Sequence, residues 1–305
     1  MYFAQLLFPD FALIVCGYLI CRFTQLGRPL WSQVESLVYY VLFPVLLFHT
    51  ISRSPLDWGA AGGLVGAALV LAACGVLLSY SAAKLPGVAA QDFAPAAQIG
   101  FRFNSYIALA LAERLAGQQG LLLIAVIIGV CVPIFNAAAV WPMVKHSQET
   151  TQGFGQALAR NPLIIATLGG LLANILGVSV PAFAEPAVSR IGQASLALGL
   201  MAAGAGLQLG QIFNTASRLR IGVAQLSIRH LLLPIIALAL AKWFSLNDTQ
   251  ATVLLMFSAL PTASSCYVLA ARMGYDGKGV AGLVTISTAL GAVSLSMALY
   301  LKTLF

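Results

Sequence analysis

The sequence predicts an all-α polytopic membrane protein with about ten transmembrane helices in two inverted five-helix repeats, and three observations predict it. First, hydrophobic residues make up 60% of the 305-residue chain and charged residues 8%, whereas soluble domains carry about 25% charged residues. Second, apolar windows of about 20 residues, enough to cross the hydrocarbon core, recur with short polar gaps between them. Third, polar residues interrupt two of these windows, at FRFNSY (101–106) and LPTASSCY (260–267). No long soluble domain fits between the windows, so the chain's main solvent is lipid.

The windows fall near 3–22, 33–52, 60–83, 93–113, 119–144, 162–180, 190–210, 221–242, 249–271 and 280–303. The first lacks a basic leader and is read as a retained helix rather than a signal peptide. Two copies of a five-span unit should place equivalent elements at a constant offset. The first window begins near residue 3 and the sixth near 162, and Asn104-Ser105-Tyr106-Ile107 can be laid against Ser265-Cys266-Tyr267-Val268 at a similar offset. An odd number of spans per copy inverts the second copy, the arrangement of many secondary transporters with broken helices at the midplane. The expected division is a first repeat over 1–145, a cytoplasmic connecting loop over 146–161 and a second, inverted repeat over 162–305.

Loop charge sets the expected orientation, because cytoplasmic loops retain Lys and Arg. One set of alternate loops holds Arg22, Arg28, Lys84, Lys145, Arg160, Arg218, Arg220, Arg272 and Lys278, and the other holds only Arg53, Arg114, Arg190, Lys242 and Lys302. Both termini are therefore expected outside the cytoplasm. The net charge of +7 reads as topology and attraction to anionic lipid, and no nucleic-acid module is present. Cys16, Cys21, Cys74, Cys131 and Cys266 fall inside windows, where a thiol behaves as a small hydrophobe, so no disulfide framework is expected. His49, His146 and His230 are scattered at window ends or loops, and neither a metal site nor a cofactor is expected.

Arg102 is the foremost candidate site residue. An ionised arginine at the bilayer centre costs roughly 2.5–3.5 kcal/mol on insertion scales, so it should face protein or a water-filled cavity. Its guanidinium can hold a carboxylate bidentately, and no acidic residue sits well inside a window to neutralise it. Asn104, Ser105, Thr262, Ser264 and Ser265 can donate hydrogen bonds beside it, or can simply satisfy broken backbone. Pro261 has no N–H to donate and marks the second helix break. Tyr106 and Tyr267 can flank a ligand or serve in packing, and Asn136 is a polar side chain deep in PIFNAAAVW that needs a partner. Arg229 is expected to snorkel to the cytoplasmic interface.

The segments LVYYVLFPVLLF, FRFNSY, VPIFNAAAVWP, NPLIIATLGGLLANILGVSVP and ALPTASSCYVLAARMGYD, taken in order across nearly the whole chain, resemble the auxin efflux carrier family, which includes bacterial malonate- and malate-type carriers. The resemblance implies a ten-helix inverted repeat whose fourth and ninth spans break and cross beside the substrate, and it implies carboxylate-bearing substrates. Span four has no proline after Asn104, only Ala108 and Leu109, which leaves open whether it is unwound or merely kinked.

The expected function is thus a secondary carrier, an exporter or exchanger of small organic anions such as mono- or dicarboxylates, working by alternating access in the plasma membrane, or the inner membrane of a bacterium. A sodium- or proton-coupled symporter is the alternative, and a channel would need polar faces along several helices. An enzyme is not expected: there is no HExxH pair, and no histidine within a span is placed to activate Ser264 or Ser265. ATP-driven transport has no support, since no GxxxxGK[ST] loop occurs. The expected partners are the substrate and the bilayer; a homodimer is admitted but not required.

Overall fold

In a computed structural model of the chain, the described residues are 2–53, 58–145, 162–178, 180–207, 215–263 and 265–303. The expected connecting loop at 146–161 and the candidate Ser264 lie outside them. Every regular element among the described residues is helical, and five helical stretches are long and apolar enough to cross a membrane: Arg28–Arg53, Gly62–Lys84, Ala90–Lys145, Ala216–Trp243 and Gly277–Thr303.

Helix α1 spans Tyr2–Phe23. Helices α2 (Arg28–Leu37) and α3 (Phe43–Arg53) are joined without a break by a π turn over Val38–Leu42. Helix α4 covers Trp58–Ser81 and is apolar on all sides, as a helix enclosed by lipid and protein must be. Helix α5 (Ala90–Ala96) tightens into a 3₁₀ turn, Ala97–Gly100, and stops. Helix α6 runs Ser105–Lys145, with non-helical backbone at Ala116 and at Gly117, whose φ of 59° favours glycine. The stretch Ala90–Lys145 is 56 residues long, far more than the roughly 20 needed for one crossing, and the kink at Ala116 and Gly117 divides α6 into two helices. The kink falls between the windows expected as spans four and five.

After the undescribed loop come α7 (Pro162–Ile175), α8 (Glu185–Ala205), α9 (Ala216–Ser227) and α10 (Leu233–Trp243), the last two bridged by a second π turn, Ile228–Leu232. Helix α11 (Asp248–Ala259) begins with a capping box in which the Gln250 N–H donates to Asn247 Oδ1 and Gln250 Oε1 accepts from the Asn247 N–H. Helices α12 (Ser265–Arg272) and α13 (Gly277–Thr303) complete the order.

Both π turns have the same cause. Each lies just before a proline, Pro44 or Pro234, which cannot donate to the carbonyl four residues back and whose ring crowds it. Widening the preceding turn relieves that clash without ending the helix. The first π turn carries Tyr39 and the second carries Arg229 and His230.

Packing sorts the helices into two groups. Helix α1 lies along α8 and α3 along α7, while α4 to α6 and α9 to α13 pack chiefly among themselves. The α1/α8 pair approaches to backbone contact: a Cβ at Gly17 would collide with the Met201 carbonyl, and one at Gly204 with the Ile14 carbonyl. Small residues at both positions allow this, and without a hydrophobic drive between helices such close packing supplies the attraction. In the second group, Arg218 on α9 pairs with Asp92 on α5 at 3.0 Å and with Asp276, just before α13, at 2.8 Å.

Candidate functional site

The backbone between α5 and α6 is non-helical from Phe101 to Asn104, and that between α11 and α12 from Leu260 to Ala263. The question left open by the missing proline is answered: the first segment is unwound, and not merely bent. The two unwound segments meet and satisfy one another. The Asn104 N–H donates to the Pro261 carbonyl at 2.8 Å, the Thr262 hydroxyl to the Ile99 carbonyl at 2.8 Å, and Gln98 Nε2 to the Cys266 carbonyl at 3.0 Å. The first two links supply groups that broken helix ends leave orphaned, which lipid could not replace, and the third ties the Gln98 side chain to the first turn of α12.

The remaining helix ends are capped from within the protein. Asn104 Oδ1 accepts from the N–H groups of Tyr106 and Ile107 at 2.9 and 3.2 Å, the N-cap of α6. At the C-terminal end of α11, Arg229 Nε donates to the Leu260 carbonyl at 2.6 Å and Nη2 to the Phe257 carbonyl at 3.0 Å. Arg229 is 1% exposed, so the expectation that it snorkels to the interface is corrected. Its charge sits where a helix C-terminus concentrates partial negative charge, which compensates its burial. His230 is also interior and not at a span end: its Nδ1 and Nε2 each lie 2.8 Å from a hydroxyl, of Ser294 and Ser287, and Ser287 Oγ in turn accepts from the Thr262 N–H.

A cavity of about 230 Å³ adjoins the crossing and brings together Arg102, Asn104, Ser105, Tyr106, Asn136 and Ser265 of the expected site residues. Apolar walls come from Phe103, Val132 and Phe135. Arg102 Nη1 donates to Gln98 Oε1 at 2.8 Å and Nη2 to Ser265 Oγ at 3.0 Å. Both partners are neutral, and no carboxylate among the described residues pairs with it. Ser105 and Ser265 are the first residues of α6 and α12, so the positive ends of two helix dipoles also border the space. The groups on offer are one cation, hydroxyl and amide donors, and two helix N-termini.

Three expected residues are placed elsewhere. Thr262 is fully buried with its hydroxyl committed to Ile99 and Ser287, so it shapes the unwound segment and does not line the cavity. Pro261 packs against Gly291 and accepts from Asn104. Tyr267 faces a neighbouring cavity, where it meets Arg28. Sequence reasoning missed Tyr39, a wall of the central cavity; its signal was a pair of phenols in the apolar run LVYYVLF. Tyr106 is held by stacking on Phe43, with ring centroids 5.0 Å apart, and Phe43 in turn rests on Gly199 of α8.

Residues 136–299 match a family described as membrane transport protein. The chain belongs to the auxin efflux carrier family. Over 308 aligned positions, covering 97% of this chain and 94% of the relative, it is 25% identical to a protein of Rhizobium meliloti (strain 1021) named "Putative malonate transporter". As a member of the auxin efflux carrier family the protein is an integral membrane transporter that binds a small substrate, and it is not an enzyme.

Proposed function

We propose that the protein is a secondary carrier that exports or exchanges small organic anions, mono- or dicarboxylates, by alternating access at the crossing of its two unwound segments. The observation that carries this reading is Arg102, a cation at the crossing whose described partners are all neutral and which opens onto a 230 Å³ cavity. A carboxylate would take its free N–H groups, with Ser105 and Ser265 completing the cradle and the α6 and α12 dipoles adding positive potential. Asn136 and Tyr106 form side walls, and the name of the 25% identical relative supports a carboxylate.

The larger frame is ten spans in two inverted repeats, 1–145 and 162–305, joined by 146–161 on the cytoplasmic side, with both termini outside. Two packing relations support it: exchanging the repeats swaps the α1/α8 pair for the α7/α3 pair, and it swaps the two breaks that meet each other. An inside-negative potential then drives anion export at about 2.3 kcal/mol per charge per 100 mV, without a coupling ion.

Counterflow in proteoliposomes tests the proposal. Labelled malonate should enter faster when unlabelled malonate is trapped inside, and a flux indifferent to trans substrate would point to a channel instead. Acceleration by a sodium or proton gradient would replace free exchange with symport.

A further inference from the structure

A second cavity, of about 530 Å³, lies beside the central one, and Tyr39, Tyr106 and Ser265 wall both. Its other walls are α2 residues, including Arg28, Ser32 and Glu35, together with Tyr40 of the first π turn and Tyr267 of α12. Here Arg28 Nη1 lies 3.3 Å from Glu35 Oε1, Nη2 donates to the Tyr267 hydroxyl, and the guanidinium carbon sits 5.6 Å from the centre of the Tyr267 ring. Two residues earlier on the same short helix, Ser265 holds Arg102. One helix turn therefore orients two guanidiniums, one per cavity, along a shared wall.

We propose that Arg28, oriented by Tyr267, forms a second anion subsite that takes the distal carboxylate of a dicarboxylate whose first carboxylate occupies Arg102. The inference rests on the carboxylate reading above and adds a specificity to it. Arg28 suits the task because its side chain is one-third exposed, and its contacts among the described residues use only part of a five-donor fork. Glu35 supplies the complementary device. Its long contact, 3.3 Å, neutralises Arg28 while the cavity is empty, and a ligand carboxylate can displace it by pairing with more of the fork. A monocarboxylate has nothing to offer Arg28 and leaves the Glu35 pair in place.

The test is binding to the purified full-length protein, by calorimetry and thermal shift, of malonate and succinate against acetate and propionate. Arg28→Gln should weaken the dicarboxylates by at least about tenfold, the scale of one charged hydrogen bond, and leave the monocarboxylates within about twofold. Monocarboxylate binding by the variant also reports that it is folded. Glu35→Gln, which removes the competitor, should raise the preference for dicarboxylates and serves by itself if Arg28→Gln does not fold. Equal losses for both classes with Arg28→Gln, or an unchanged preference with Glu35→Gln, overturn the subsite. If the native protein binds monocarboxylates as tightly as dicarboxylates, the subsite fails while Arg102 stands; if it binds neither class, the carboxylate reading itself fails.

Discussion

The backbone N–H of Asn104 donates to the carbonyl of Pro261 at 2.8 Å, joining the unwound segment before α6 to the one before α12. Around that bond the Thr262 hydroxyl and the Gln98 amide add two further links between the segments. The site is therefore held by backbone and side-chain bonds that run from one break to the other, and its shape depends on both halves of the chain at once.

Arg102→Ala should lower carboxylate affinity by at least about tenfold while the protein still inserts and folds, because Gln98 and Ser265 lose a neutral-to-charged contact that neither needs for its own backbone. Arg102→Lys should also bind weakly, since an ammonium keeps the charge and loses the planar fork. Calorimetric titration with malonate checks this, and native affinity in a folded Arg102→Ala protein would remove Arg102 from the site.

Arg229→Ala should act on stability instead. It leaves the Leu260 and Phe257 carbonyls without their donor, at about 1–3 kcal/mol for each buried group left unsatisfied. The expected readout is a lower melting temperature in detergent than that of Arg102→Ala. Identical melting of the two variants would contradict the capping role.

Gly204→Val should prevent assembly of folded protein, because no side chain fits against the Ile14 carbonyl without moving α1 away from α8. Overpacking by several atoms at a backbone contact costs more than the typical 0.5–3 kcal/mol of a point substitution. Size-exclusion chromatography would show the loss as aggregated material, and a monodisperse, ligand-binding Gly204→Val protein would refute it.

The orientation can be tested by labelling. In a cysteine-free background, a cysteine at position 150 should be shielded in intact cells from an impermeant maleimide and should react after permeabilisation. Reaction in intact cells would invert the topology.

The two breaks were legible in the sequence because polar side chains cannot sit idle in an apolar window: Arg102, Asn104 and the Pro261–Ser265 cluster had to be explained there. What those residues do once placed was less legible. Arg229 looked like a snorkelling cation because its depth along one helix was visible, whereas the bare carbonyls of α11 at the same depth belong to residues about 30 positions later. Thr262 was indistinguishable from Ser265 by composition, and only the fold turns one toward Ile99 and the other toward Arg102. Tyr39 reaches the cavity from a π turn whose cause, Pro44, lies outside the cavity altogether.

The bond between Asn104 and Pro261 also constrains how the protein is made. The amide that α6 needs satisfied is synthesised 157 residues before its acceptor, which at 5–20 residues per second is a delay of roughly 8–30 s. During that interval the first unwound segment has no permanent partner, and bare lipid offers it none. Until the acceptor is made the amide must be satisfied by another group or by water, and only a chain whose C-terminal half has arrived can seal this hydrogen bond of its N-terminal half.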